Sequence, residues 1–264
     1  MALACLESTV LMSTKPLLIT TGVNVAFGGL RALSDVNITV NHGEVVGLIG
    51  PNGAGKTTMF NAICGVVKPD TGTFEFGNQN TWPATDKLAS IGISRTLQGV
   101  GLFPELTVLE NVMIGANKFA RTGLIAASLG LNSRDESALA LRAHVALERV
   151  FASTLANRRA GTLSYPDAKR VSIARALVSK PELLLLDEPA GGLGAHDIEW
   201  LNRLIKELSG EMSVLIVEHH MDVVMSVCDR IYVLNFGQVI SSGTPEHVRN
   251  DPAVITAYLG ADAQ

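Results

Sequence analysis

The sequence predicts an α/β protein: a core of parallel strands with crossover helices, an antiparallel β portion at its start and a helical insertion in its middle. Three observations carry that expectation. The runs "EVVGLIG" (Glu44–Gly50), "LLLLDEP" (Leu183–Pro189) and "SVLIVEH" (Ser213–His219) are short, apolar and uninterrupted, as strands covered on both faces are. Segments with helical spacing follow each of them, which is the alternation of parallel strands and crossover helices. Between the first two runs, from about Ile91 to Ala168, the pattern changes to helical segments.

The elements follow in order. "LLITTGVNVAF" (Leu17–Phe27) and "DVNITV" (Asp35–Val40) alternate like half-buried strands, with "GGLRAL" read as the turn between them. "GTFEFG" (Gly72–Gly77) is a further short strand, and "KTTMFNAICG" (Lys56–Gly65) is helix-like. In the insertion, "ESALALRAHVALERVF" (Glu136–Phe151) has apolar residues three and four apart, and "DIEWLNRLIKELS" (Asp197–Ser209) is amphipathic. "MDVVMSVC" (Met221–Cys228) reads as helical and "RIYVLNFGQVISSGTP" (Arg230–Pro245) as a closing hairpin. A terminal helix is expected around "PAVITAYLG" (Pro252–Gly260). Residues 1–16 read as an N-terminal extension without fixed structure, with Met12 an alternative start, and residues 17–262 as a single domain.

Composition removes several function classes. The chain has 264 residues, 47% apolar and 17% charged, so it can build a core. A net charge of −4 argues against a dedicated nucleic-acid binder. "GLIAASLGL" (Gly123–Leu131) and "LLLL" (Leu183–Leu186) fall far short of the ~18–20 apolar residues that span a bilayer. The start lacks a basic segment and carries Glu7, unlike a signal peptide. Cys5, Cys64 and Cys228 have no metal-ligand spacing and suit a reducing cytosol.

The chemistry is concentrated in "GPNGAGKTT" (Gly50–Thr58), which has the G-x-x-x-x-G-K-[ST] pattern between a strand and a helix. Asn52, Gly53, Ala54 and Gly55 let backbone N–H groups face phosphates at a helix N-terminus. Lys56 supplies a cation to the β- and γ-phosphates, and the hydroxyls of Thr57 and Thr58 stand at the start of the helix, with Thr57 offered to Mg²⁺. The chain is therefore expected to bind a nucleoside triphosphate. A buried strand ending in Asp187-Glu188 adds two carboxylates beside this loop. Asp187 suits Mg²⁺, and Glu188 suits a general base for in-line attack of water on the γ-phosphate.

The order of "GPNGAGKTT", Gln98, "LSYPDAKRVSIARAL" (Leu163–Leu177), "LLLLDEP" and "VEHH" (Val217–His220) resembles the nucleotide-binding subunit of an ABC transporter. The resemblance implies an ABC-type P-loop NTPase core with an antiparallel β subdomain and an inserted α-helical subdomain, binding ATP and Mg²⁺. It implies that Phe27 stacks on adenine and that Gln98 contacts Mg²⁺ and the attacking water. It further implies that His219 contacts the γ-phosphate and that Ser164 serves ATP held by an opposite subunit. His220 stands where the family commonly has Asp. The segments "FGGLRALSDVNITV", "ANKFARTGLIAASLG" and "GTPEHVRNDPAVITAYLG" are similar to ATP-binding subunits of branched-chain amino-acid importers, and of related urea or amide importers. Such a protein would work at the cytoplasmic face of the inner membrane as a peripheral ATPase, with two membrane permease subunits and a second ATPase subunit. A lipopolysaccharide-export ATPase, another ABC system and a regulatory ATP-binding module with slow turnover are the alternatives.

Two departures qualify the resemblance. Where the family signature reads LSGGQ, or LSYGQ in the amino-acid branch, this chain has Pro166 and Asp167 in the last two positions. Proline has no N–H to donate, and Asp167 brings negative charge to a helix end that attracts anions. Ser164 as N-cap, with Asp167 three residues on, nevertheless makes a competent helix start close to a capping box. Gly194 also stands where the family usually has Asp or Asn. A complete site of its own beside a weakened signature favours a heterodimer over a homodimer.

Overall fold

The computed structural model describes residues 15–97, 99–119 and 133–259. The expectations for residues 1–14 and for Gln98, and most of "ANKFARTGLIAASLG", lie outside them. Strands β1 (Leu18–Phe27), β2 (Leu30–Val40) and β4 (Thr71–Phe76) form an antiparallel sheet in the order β2-β1-β4. The second sheet contains β3 (Val45–Ile49), β5 (Ile93–Arg95), β6 (Leu183–Asp187), β7 (Ser213–Val217), β8 (Arg230–Asn235) and β9 (Gln238–Gly243), in the order β5-β6-β7-β3-β8-β9. Its neighbours are parallel except for the β8–β9 hairpin, which closes the sheet.

The larger sheet is covered on both faces, and alternation along each strand divides the core. Val45 and Ile49 on β3, with Leu184, Leu186, Val214 and Ile216, meet the helices on one side. Those helices are α3 (Val108–Gly115), α4 (Ser133–Arg149), α5 (Tyr165–Leu177), α6 (Ala195–Ser209) and α7 (Met221–Val227), with α8 (Pro245–Asn250) and α9 (Pro252–Leu259) at the end of the chain. Val46 and Leu48, with Leu183, Leu185, Leu215 and Val217, meet α1 (Lys56–Ile63) and the three-stranded sheet on the other. All five residues of β3, β6 and β7 are buried, which is why these strands are apolar except for Asp187 at the end of β6 and Ser213 at the start of β7. Helix α2 (Leu88–Ile91) leads into β5 at the sheet edge.

Two readings from spacing change. "LRAL" belongs to β2, and only Gly28 and Gly29 turn the chain, because Leu33 and Val36 are both core residues. Asp35 between them adopts φ 53 and sits next to a register shift that keeps both apolar side chains inward. Strand β5 lies within the stretch that reads as helical, and its three residues are too few for alternation to register. It exists because β6 offers it a parallel ladder.

Candidate active site

The phosphate loop connects β3 to α1 at the carboxyl end of the sheet, where open α/β folds bind ligands. Gly50 has φ 150, and a Cβ there would stand 2.1 Å from the Leu234 carbonyl oxygen. Gly55 has φ 103 and also crowds β2, where a Cβ would meet the Ala32 oxygen at 2.7 Å. Both positions need the absence of a side chain as well as the freedom of glycine. Helix α1 starts with no side-chain cap and no acidic residue in its first turn. Its leading N–H groups and dipole are thus free to receive an anion.

Lys56 is 7% exposed, and its ammonium donates to the Gly50 and Pro51 carbonyls at 2.7 and 2.9 Å. Burial lowers its pKa, and the Glu188 carboxylate opposes that shift. The loop is held from outside by the Gly237 N–H, which donates to the Ala54 carbonyl at 3.0 Å. Asn52, Gly53 and Thr57 are exposed and Thr58 half-buried. Phe27 is 53% exposed at the tip of the β1–β2 hairpin, so it is no core residue. The same hairpin touches the loop through Ala32 and Leu33 beside Gly55.

Thr57 and Asp187 line one cavity of about 200 Å³, together with Arg95, Thr96 and Leu97, the residue before Gln98. Asp187 has no salt bridge among the described residues, and burial, then the Glu188 charge, raises its pKa. A hydroxyl and a carboxylate in need of a cation are the hard oxygen donors that suit Mg²⁺. The Asp187 N–H donates to the Thr96 hydroxyl at 3.1 Å, which fixes the strand end.

Glu188 turns the chain with φ 44, a strained conformation for a non-glycine residue and a mark of functional turns. Its N–H donates to the Val217 carbonyl at 2.8 Å, and its carbonyl accepts from Lys169 at 2.7 Å. These bonds aim a partly exposed carboxylate at His219, whose Nδ1 is 3.9 Å from Oε1. His219 and residues Gly50–Ala54 also line an open cavity of about 990 Å³ with Asn235, Phe236 and α9. That is ample for a bound nucleotide.

Ser164 is the N-cap of α5, accepting from the Asp167 N–H at 3.3 Å and donating its hydroxyl to Asp167 Oδ2 at 2.7 Å. No hydrogen bond among the described residues joins it to its own phosphate loop. The residues brought together are therefore Lys56, Thr57, Asp187, Glu188 and His219, with Ser164 standing apart. Sequence reasoning missed Glu218, whose carboxylate organises the end of β7, and Lys169, which holds the Glu188 turn. A charged residue closing an otherwise apolar strand was the available signal for Glu218.

This fold and this loop define a P-loop nucleoside triphosphatase. Comparison with known proteins narrows the class. The family described as ABC transporter matches residues 33–191, and the family described as branched-chain amino acid ATP-binding cassette transporter matches residues 238–264. The chain is 44% identical over 252 residues to the high-affinity branched-chain amino acid transport ATP-binding protein LivG of Escherichia coli, covering 94% of this chain and 99% of that one. The lipopolysaccharide export system ATP-binding protein LptB of Haemophilus influenzae is 36% identical, covering 87% and 91%. The crystal structure of a nucleotide-free ATP-binding cassette from an ABC transporter superposes with a TM-score of 0.82 at 34% identity, covering 92% and 99%. The chain belongs to the ABC transporter family as an ATP-binding subunit, an ATPase whose hydrolysis is coupled to transport. Among its described residues no helix is long and apolar enough to cross a membrane.

Proposed function

We propose that this chain powers uptake of branched-chain amino acids, or of closely related solutes, through separate membrane subunits. The observation that carries the catalytic part is the meeting of Glu188 and His219, 3.9 Å apart, beside the loop that holds Lys56. In this reading residues 17–262 act as one nucleotide-binding domain, and the helical subdomain expected at about 91–168 begins only beyond β5. Phe27 stacks on adenine. The α1 N-terminus and Lys56 receive the phosphates. Thr57, Asp187 and Gln98 hold Mg²⁺, which supplies charge neutralisation on the phosphate oxygens when bound. Glu188 takes a proton from water as its oxygen attacks the γ-phosphorus in line and the bond to the β-phosphate oxygen breaks. His219 orients the γ-phosphate.

The solute assignment is supported by the match over residues 238–264 and by the higher identity to the amino-acid relative than to the lipopolysaccharide one. In this reading a groove of about 530 Å³ that includes Leu97, Phe103, Ile114 and Arg175 receives the membrane subunits, and the ATPase works peripherally at the cytoplasmic face. The second ATPase subunit in this reading is a different chain, because the Ser164 end of α5 is occupied by Asp167. Nucleic acid has no part in it.

The test is MgATP hydrolysis by the purified chain, followed by leucine uptake in vesicles that contain the membrane subunits and a second ATPase subunit. Glu188→Gln is expected to keep ATP binding and to lower turnover at least ~100-fold, within the range for a general base. Undiminished turnover in that variant would overturn the catalytic reading. Uptake of a different solute class would overturn the transport reading alone.

A further inference from the structure

We propose that Glu218 is a positioning residue for hydrolysis: its buried carboxylate ties the end of β7, which bears His219, to the turn that carries Glu188. The proposal rests on the assignment of Glu188 and His219 above.

Glu218 is 0% exposed, and among the described residues no lysine or arginine forms a salt bridge with it; Lys169 acts on it only at longer range, and His219 Nδ1 lies 3.6 Å from its Oε2. Its oxygens are satisfied by N–H groups from two separate segments. Oε1 accepts from the Ala190 N–H at 2.8 Å, two residues beyond Glu188. Oε2 accepts from the His219 and His220 backbone N–H groups at 2.7 and 2.9 Å, and His220 Nδ1 lies 2.9 Å from the same oxygen. Burial works against its ionisation, and the N–H donors of His220, Ala190 and His219 outweigh burial, so its pKa is lowered. An ionised carboxylate accepts at both oxygens at once, which an amide cannot do. The Glu218 N–H also reaches toward the Leu48 carbonyl at 3.5 Å, on the strand that enters the phosphate loop. One buried residue thus joins the three strand ends that carry the loop, Glu188 and His219. The separation of 3.9 Å between Glu188 and His219 is set by this bridge and by the bond from the Glu188 N–H to the Val217 carbonyl.

Substitution by glutamine isolates the bridge. With its oxygen kept toward His219 and His220, the introduced amide would turn its NH₂ toward the Ala190 N–H, and that link is lost. For Glu218→Gln in the full chain, we expect kcat to fall about ten-fold while KM for ATP stays within two-fold. Combined with His219→Ala, it should lower kcat no further, because the pair acts through one arrangement. Glu218→Asp keeps the charge but is too short to span both anchors. It should lower kcat in the same direction, and it serves as the test if the glutamine variant does not fold. A kcat within two-fold of wild type, or a loss fully additive with that of His219→Ala, would overturn the proposal. Wild-type turnover in both Glu188→Gln and His219→Ala would instead remove the catalytic pair, whatever Glu218 does.

Discussion

Ser164 donates its hydroxyl to the Asp167 carboxylate at 2.7 Å, across the first turn of α5. The helix end therefore carries its own anion, and Pro166 at the same turn has no N–H to add. Under the proposed function, what this helix end offers a partner's nucleotide is reduced, while the chain's own phosphate loop keeps its full pattern. Replacing Pro166→Gly and Asp167→Gln together should raise the ATPase rate of the isolated chain roughly ten-fold at high protein concentration. That is the size expected from restoring one hydrogen bond to a charged group, ~1.5–3 kcal/mol. An isolated wild-type chain that already turns over quickly, with no gain on repair, would mean the two positions do not limit catalysis.

The two buried carboxylates have opposite pH signatures. Asp187 has a raised pKa, chiefly through burial, so ionising it destabilises the nucleotide-free fold. Its favourable contribution is complete below the ordinary value of 3.8 and is lost as pH rises through the folded value. Asp187→Asn should accordingly melt a few degrees above wild type at pH 7, the gap closing toward acid, while Mg²⁺-dependent hydrolysis disappears. Glu218 has a lowered pKa despite burial, so its stabilisation is present above the ordinary 4.5 and lost as pH falls through the folded value. Glu218→Gln should melt below wild type at pH 7 and converge with it in acid. Thermal denaturation from pH 3 to pH 8 checks both signs at once.

Gly50→Ala tests the entry to the phosphate loop. A Cβ 2.1 Å from the Leu234 oxygen forces β8 or the loop to move, at φ 150. A destabilisation on the order of 3 kcal/mol is expected from overpacking and strain together. Nucleotide binding should be lost even where the fold survives at low temperature. Gly53→Ala meets no atom within 4 Å and serves as the control for steric overlap, with only its φ of 78 to strain it.

Phe27→Ala should leave the melting temperature nearly unchanged, since the ring is largely exposed. Its effect belongs in nucleotide affinity. A stacked base is worth ~1–3 kcal/mol on truncation to alanine, so KM for ATP should rise about ten-fold with kcat preserved. Phe27→Tyr should restore affinity. A KM unmoved by the alanine change would place adenine elsewhere.

The phosphate loop was legible because its chemistry is contiguous: Gly50 to Thr58 run from the loop into the first turn of α1, and their order alone fixes which atoms face an anion. The Asp187-Glu188 pair was legible for the same reason, at the end of an uninterrupted apolar run. Strand β5 was not, because three residues carry no period and owe their conformation to a ladder with β6. Leu30 to Leu33 read as a turn, because the common buried face of Leu33 and Val36, with Asp35 reset between them, comes only from pairing with β1. Glu218 was not legible, since its partner at Ala190 lies on another strand's exit.

By itself the sequence determined the nucleotide chemistry, the alternation of strands and helices, and the departure at Pro166 and Asp167, because each resides in neighbouring residues. Only the tertiary structure decided which of the reactive groups meet. His219 reaches Glu188 because β6 and β7 are adjacent parallel strands ending at the same level, with Asp187 in register with Val217. That adjacency comes from burying both strands between two layers, a condition that no local stretch of the chain encodes.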